Sequence, residues 1–338
     1  LLYETKVQFL KPFGRIPQHC LDRQQDKKQK RLSSFYLELI LSIENISLIF
    51  FSSILHSFWN ILTQTSKNSQ FFSGLKGVWI ISMGIVVLTW IGPSIWNREL
   101  FFWGSVSGIL HGVYILCLSR AYKTQDISYV YPIARSAPVF VPVFAWFLLG
   151  ENLGSLTLIA IIIIVMAIYI LHFDGHLIRG FKNLWQAIQH NDLRWAFYTL
   201  IMVVSYSLVD KKSMDLFHIY WPDQSFVNGA AFFFMEATIG FILCNLYLFS
   251  NHAKTDILGL WKAEWLKGLL AAVATLGSYG LICVVLQFEP VSVVVSLRQV
   301  SVLMVVYWGC WKLGEPLGKE RLLAGGLILV GVFLMGRY

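Results

Sequence analysis

From residue 46 the chain alternates long apolar runs with short polar breaks. The runs cover roughly 46–66, 71–91, 99–121, 128–149, 155–172, 193–210, 225–249, 265–287, 291–313 and 320–336. A membrane-spanning helix needs about 20 predominantly apolar residues, so the pattern predicts ten transmembrane helices and no strands. The longest breaks fall at 173–192 and 211–224. The first of them divides the chain into five spans and five spans. The expected organisation is a basic tail over 1–45, a five-helix repeat over 46–172, a connecting loop over 173–192 and a second five-helix repeat over 193–338.

The two halves resemble each other. Shifting the first by 164 residues lays Ser128 on Ser292, Val130 on Val294, Leu149-Gly150-Glu151 on Leu313-Gly314-Glu315 and Leu153 on Leu317. A shift of 150 lays His56 on Tyr206 and Asn60 on Asp210. Five is odd, so the second half enters the membrane from the opposite side. Inverted repeats of this kind are typical of secondary transporters, whose sites lie near the midplane between the halves.

Composition agrees. The 338 residues are 56% hydrophobic and 14% charged, against about 25% charged for a soluble domain, and the mean hydropathy is +0.61. Eight Lys or Arg lie before residue 46, from Lys6 to Arg31. This basic tail is expected to be cytoplasmic and solvated, with no nucleic-acid role, which places both termini inside. The loops weigh the other way, because Arg120, Lys123, Arg179, Lys182, Lys254, Lys262, Lys319 and Arg321 would then lie outside. The tail lacks the order of a signal peptide. It begins at Leu1, which suggests a fragment end or an extended gene boundary. Cys117, Cys244, Cys283 and Cys310 lie in apolar runs and read as small packing residues.

Polar groups within the spans carry the candidate chemistry. Arg135 lies in YVYPIARSAPVFVPVFAWFLLGE and Arg298 in VSVVVSLRQVSVLMVVYWGCWKLGE. An arginine at the centre of a span costs about 2.5–3.5 kcal/mol on insertion scales, so each should face protein, water or an anion. Its planar fork suits a carboxylate or phosphonate; an ion pair with Asp210 or Glu236, or contacts to backbone carbonyls, is the structural alternative. His56 and Asn60 share a helix face with Trp59 beside them, and Tyr206 and Asp210 repeat the four-residue spacing. These seven residues are expected to line one central aqueous cavity, with Asp210 partly neutralising one arginine. Gly104, Gly108 and Gly112 form a packing stripe. His111 and His56 can titrate and so couple protons. Glu151 and Glu315 each precede a new helix, where a carboxylate complements the N-terminal dipole. Enzyme signatures are absent: there is no H-E-x-x-H, no Cys/His metal spacing, no G-x-S-x-G and no P-loop.

Tyr131-Pro132-Ile133-Ala134-Arg135, Pro138, Leu149-Gly150-Glu151, Leu297-Arg298-Gln299 with Ser301, and Gly314-Glu315 resemble the drug/metabolite transporter superfamily in its ten-helix, EamA-type branch. His56-Ser57-Phe58-Trp59-Asn60 and Tyr206-Ser207-Leu208-Val209-Asp210 are similar to a subgroup with an H-x-x-W-N and a Y-x-x-x-D helix. Ser136 stands where that subgroup often has glycine, and Gln64 where lysine is common. The resemblance, from about residue 46 onward, implies a proton-coupled or facilitative carrier of small metabolites. The expected protein is a non-enzymatic transporter of a small organic anion or zwitterion: an amino acid, an organic acid or a phosphonate. It would need no cofactor or metal, sit in the inner (plasma) membrane and act as monomer or homodimer. The rival expectations are a lipid-linked flippase of the same fold and a non-transporting membrane assembly subunit.

Overall fold

The computed structural model describes residues 43–124, 133–134, 136–173, 175–180, 182, 185, 193–301, 304 and 319–335. The described chain is helical. Its elements are α1 (Ile43–Gln64), α2 (Ser69–Ile91), α3 (Arg98–Thr124), α4 (Ala137–Leu149), α5 (Ser155–His172), α6 (Arg194–Tyr220), α7 (Ser225–Asn251), α8 (Lys254–Val285), α9 (Val291–Leu297) and α10 (Lys319–Met335). Among the described residues, α1, α2, α3, α7 and α8 are long and apolar enough to cross a membrane. Apolar helices shorter than that lie in α4, α5 and α10.

The helix pairings carry the repeat. α3 packs on α6 and α7, α2 on α7 and α8, α4 on α9, and α5 on α10. Exchange each helix n with n+5. The pairs α2–α7, α4–α9 and α5–α10 map onto themselves, and α3–α7 becomes α8–α2. The pair α3–α6 becomes α8–α1, which the structure ties through Ser52 Oγ donating to Ser278 O at 2.7 Å. The fold is the ten-helix, two-repeat architecture expected from the sequence.

Boundaries differ where polar residues were read as loop. The sixth span was expected to stop at 210 and a connection to follow over 211–224. Instead α6 continues to Tyr220, with Asp210 inside it and fully buried. The Lys211 ammonium bonds Asp215 Oδ1 one turn on at 2.6 Å and the Leu286 carbonyl at 3.0 Å, so the charges are satisfied without leaving the helix. α8 starts at Lys254, eleven residues before the expected 265, and kinks at Glu264 (φ −118°, ψ 20°). α9 is interrupted after seven residues, with Arg298 at its C-terminal cap; residues 300, 301 and 304 are helical again, and the rest of the span expected to 313 lies outside the described residues.

Close approach depends on the glycine stripe of α3. A Cβ at Gly108 would lie 2.8 Å from the Glu236 carbonyl oxygen and 2.7 Å from Ile239 Cβ of α7. The packing expected of this stripe therefore brings α7 against α3 beside His111. At the end of α4, Gly150 takes a left-handed φ of 69°, a conformation that favours glycine. Glu151 then reaches across to the second repeat. Its carboxylate accepts from Val291 N at 2.6 Å, Ser292 N at 3.3 Å and Ser292 Oγ at 2.7 Å. It caps α9 rather than α5, the helix that follows it and that was expected to benefit. Glu315 lies outside the described residues. Cys117, Cys244 and Cys283 are buried free thiols, and Cys310 lies outside the described residues.

Candidate functional site

A seam of polar side chains crosses the bundle interior. Its acidic end is built by α3, α6, α7 and α8. Ser107 Oγ donates to Asp210 Oδ1 at 2.5 Å, and the Tyr279 hydroxyl donates to Asp210 Oδ2. His111 lies one turn beyond Ser107. Its Nδ1 is 3.1 Å from the Ser107 carbonyl oxygen and 3.1 Å from Glu236 Oε2. Ser107 Oγ lies 3.2 Å from the same nitrogen. Nε2 faces Asp210 Oδ2 at 3.8 Å and has no hydrogen-bond partner among the described residues. The Tyr206 ring stacks on the imidazole at 4.0 Å between centroids. Glu236 is buried.

The other end belongs to α1, α2 and α9. The Arg298 guanidinium lies 5.1 Å over the Tyr279 ring and donates to His56 Nδ1 at 3.4 Å. Tyr279 is therefore the hinge of the seam, with its hydroxyl on Asp210 and its ring face under Arg298. No carboxylate among the described residues comes within ion-pair distance of Arg298. His56 in turn meets the Trp59 ring edge-on at 5.0 Å, and Lys76 Nζ of α2 lies 3.9 Å above that indole.

The structure thus brings His56, Trp59, Tyr206, Asp210 and Arg298 into one contiguous seam. Asn60 is less committed, since its Nδ2 donates to the His56 carbonyl of its own helix at 2.8 Å. Arg135 lies outside the described residues. Asp210 does not pair with Arg298 directly; the Tyr279 ring stands between them. A cavity of about 250 Å³ among the described residues is bounded by Trp90, Ile91, Ile95, Trp221, Gln224 and Val227.

Five seam residues lie outside the seven expected from sequence: Ser107, His111, Glu236, Tyr279 and Lys76. The signal for Lys76 was available, a lone cation within the apolar run from Phe71 to Ile81. Ser107 precedes His111 by one helical turn, but nothing in the sequence joins it to Asp210, 103 residues away.

Comparison with known proteins settles the family. The EamA-like transporter family matches residues 43–173 and again 193–337. No curated protein matches the chain. A solved crystal structure of a protein with 14% sequence identity superposes with a TM-score of 0.65 over 86% of this chain and 96% of its own, which speaks to the fold alone. The two family matches fill almost all of the chain beyond the tail, and members of the family are transporters rather than enzymes. The chain belongs to the EamA-like transporter family, and is an integral, multi-pass membrane protein that transports small molecules.

Proposed function

We propose that the protein carries a small organic anion or zwitterion, such as an amino acid, an organic acid or a phosphonate, across the membrane by alternating access. One observation carries this reading: the Arg298 guanidinium sits inside the bundle beside His56 and Tyr279 without a carboxylate partner among the described residues. A charge left so is costly unless something pairs with it. The cargo's acid group supplies that partner. Arg298 follows the seven-residue helix α9, and interrupted helices at repeat interfaces are where transporters of this kind hold cargo. His56, Trp59 and Tyr206 shape the site, and Asn60 and Arg135 belong to it by sequence pattern alone.

Protons are the coupling ion in this proposal. His111 on α3 is faced by Asp210 and Tyr206 from α6, by Glu236 from α7 and by Tyr279 from α8. A proton taken up by this cluster changes the charge at Asp210, and Tyr279 links that carboxylate to Arg298. Loading of the acid end is thereby felt at the anion site.

The test is binding and uptake of small carboxylates and phosphonates by Arg298→Lys and Arg298→Ala, with Arg135→Lys alongside. Arg298→Lys keeps the charge and loses the fork, so binding weakens about tenfold, and Arg298→Ala abolishes it. Unchanged binding in both Arg298 variants excludes anion recognition there.

A further inference from the structure

Lys76 is a second interior cation without an anion among the described residues. It lies in α2 among Leu75, Gly77 and Trp79, and is 5% exposed. Its ammonium sits 3.9 Å over the Trp59 ring and 5.6 Å from the Phe241 ring. No carboxylate or hydrogen-bond acceptor among the described residues reaches it. The acid on the adjoining stretch of α8, Glu264, is taken by the Lys67 amide at 3.3 Å and by Lys267 at 3.9 Å. An aromatic face offsets only part of what burying an ammonium costs.

Lys76 and Arg298 are joined through side chains already described. The Trp59 indole lies under Lys76, its ring meets His56 at 5.0 Å, and His56 Nδ1 accepts from Arg298 at 3.4 Å. The two unpaired cations therefore stand one indole and one imidazole apart on the same end of the seam. At the other end Asp210 is occupied by Ser107 and Tyr279, and Glu236 faces His111. A singly charged cargo would leave one cation bare.

We propose that Lys76 and the Trp59 ring form a second anion subsite, and that the cargo is a small dianion with one acid group on Arg298 and the other on Lys76. A short dicarboxylate or a carboxylate bearing a phosphonate has this chemistry. The proposal rests on Arg298 as the cargo's first anchor. Alternating access buries a carrier's site for part of its cycle, which accords with the low exposure of Lys76.

The experiment uses the whole purified chain and four probes at matched ionic strength: butyrate, succinate, glutarate and 3-phosphonopropionate. Their binding is read from the rise in melting temperature. In the parent, at least one doubly charged probe binds tenfold or more tighter than butyrate. Lys76→Met lowers that probe to the butyrate value and leaves butyrate itself unchanged, while Lys76→Arg keeps the preference. A parent that binds butyrate and the doubly charged probes alike overturns the second subsite and leaves Arg298 in place. A parent that binds none of the four overturns both assignments. Retention of the preference in Lys76→Met makes Lys76 a structural tie to Trp59. Should Lys76→Met fail to fold, the parent's preference decides together with Lys76→Arg.

Discussion

The two ends of the interior seam are built on opposite terms. At the acidic end Asp210 takes hydroxyl hydrogen bonds from two other helices, Glu236 meets an imidazole, and the glycine stripe of α3 lets α7 press against them. At the cationic end Arg298 has a long hydrogen bond to His56 and the face of Tyr279, and Lys76 lies against aromatic rings with no carboxylate partner among the described residues. An acid satisfied by the fold, as Asp210 is, contributes to stability. Cations left unsatisfied cost stability, and a ligand that relieves that cost is selected by its charge. Under the proposed function, the difference separates the part of the seam that holds the bundle together from the part that takes the cargo.

The largest expected effect follows from removing the waiting group. Arg298→Ala should weaken anion binding by about 100-fold or more, since truncating one side of a buried charged pair costs about 2–5 kcal/mol. The melting temperature without ligand should barely move. Ligand-dependent melting and a denaturation series on the same preparation check both halves of that expectation. Asp210→Ala should do the reverse. It strands the Ser107 and Tyr279 hydroxyls in the interior, at about 1–3 kcal/mol for each unsatisfied group, so the unliganded protein loses several degrees or fails to fold. Equal stability losses in the two variants would erase the contrast between the ends.

A smaller effect is expected at the helix contact that assembles the acidic end. Gly108→Ala places a methyl 2.8 Å from the Glu236 carbonyl, so α3 and α7 must part, at about 1–3 kcal/mol. His111 then moves from Glu236, and uptake should lose its response to an imposed pH gradient while anion binding persists. Uptake in vesicles with and without the gradient measures this. Glu151→Gln should have the mildest effect, about 1 kcal/mol, by weakening the charged cap on α9 that ties the repeats together. Chemical denaturation of the variant provides the check.

Much of this was legible in the chain, and the parts that were not share a cause. Ten spans and their repetition follow from apolar runs and from Leu-Gly-Glu recurring at a fixed interval. His56, Trp59, Tyr206, Asp210 and Arg298 stood out because a polar group in an apolar span needs a reason. The same rule applies to Lys76, which was hidden by its single occurrence and by the more visible arginines. The end of α6 was misplaced because charge was equated with loop, although Lys211 and Asp215 pair along the helix. Glu151 was correctly read as a helix-capping carboxylate but given to the next helix in sequence, when its partner is 140 residues away. Tyr279 carried no local signal at all. Its role exists only once α8 has brought it against Asp210 of α6 and the Arg298 guanidinium.

The most direct measurement sets the two ends against each other with probes of matched size and opposite charge. Butyrate and butylamine are titrated separately into the purified parent, Arg298→Ala and Asp210→Asn, and the melting temperature is followed. Butyrate should stabilise the parent and Asp210→Asn but not Arg298→Ala, and butylamine should stabilise none of them. Stabilisation of the parent by butylamine, lost in Asp210→Asn and kept in Arg298→Ala, would place the cargo on the acids and contradict the assignment of the cationic end.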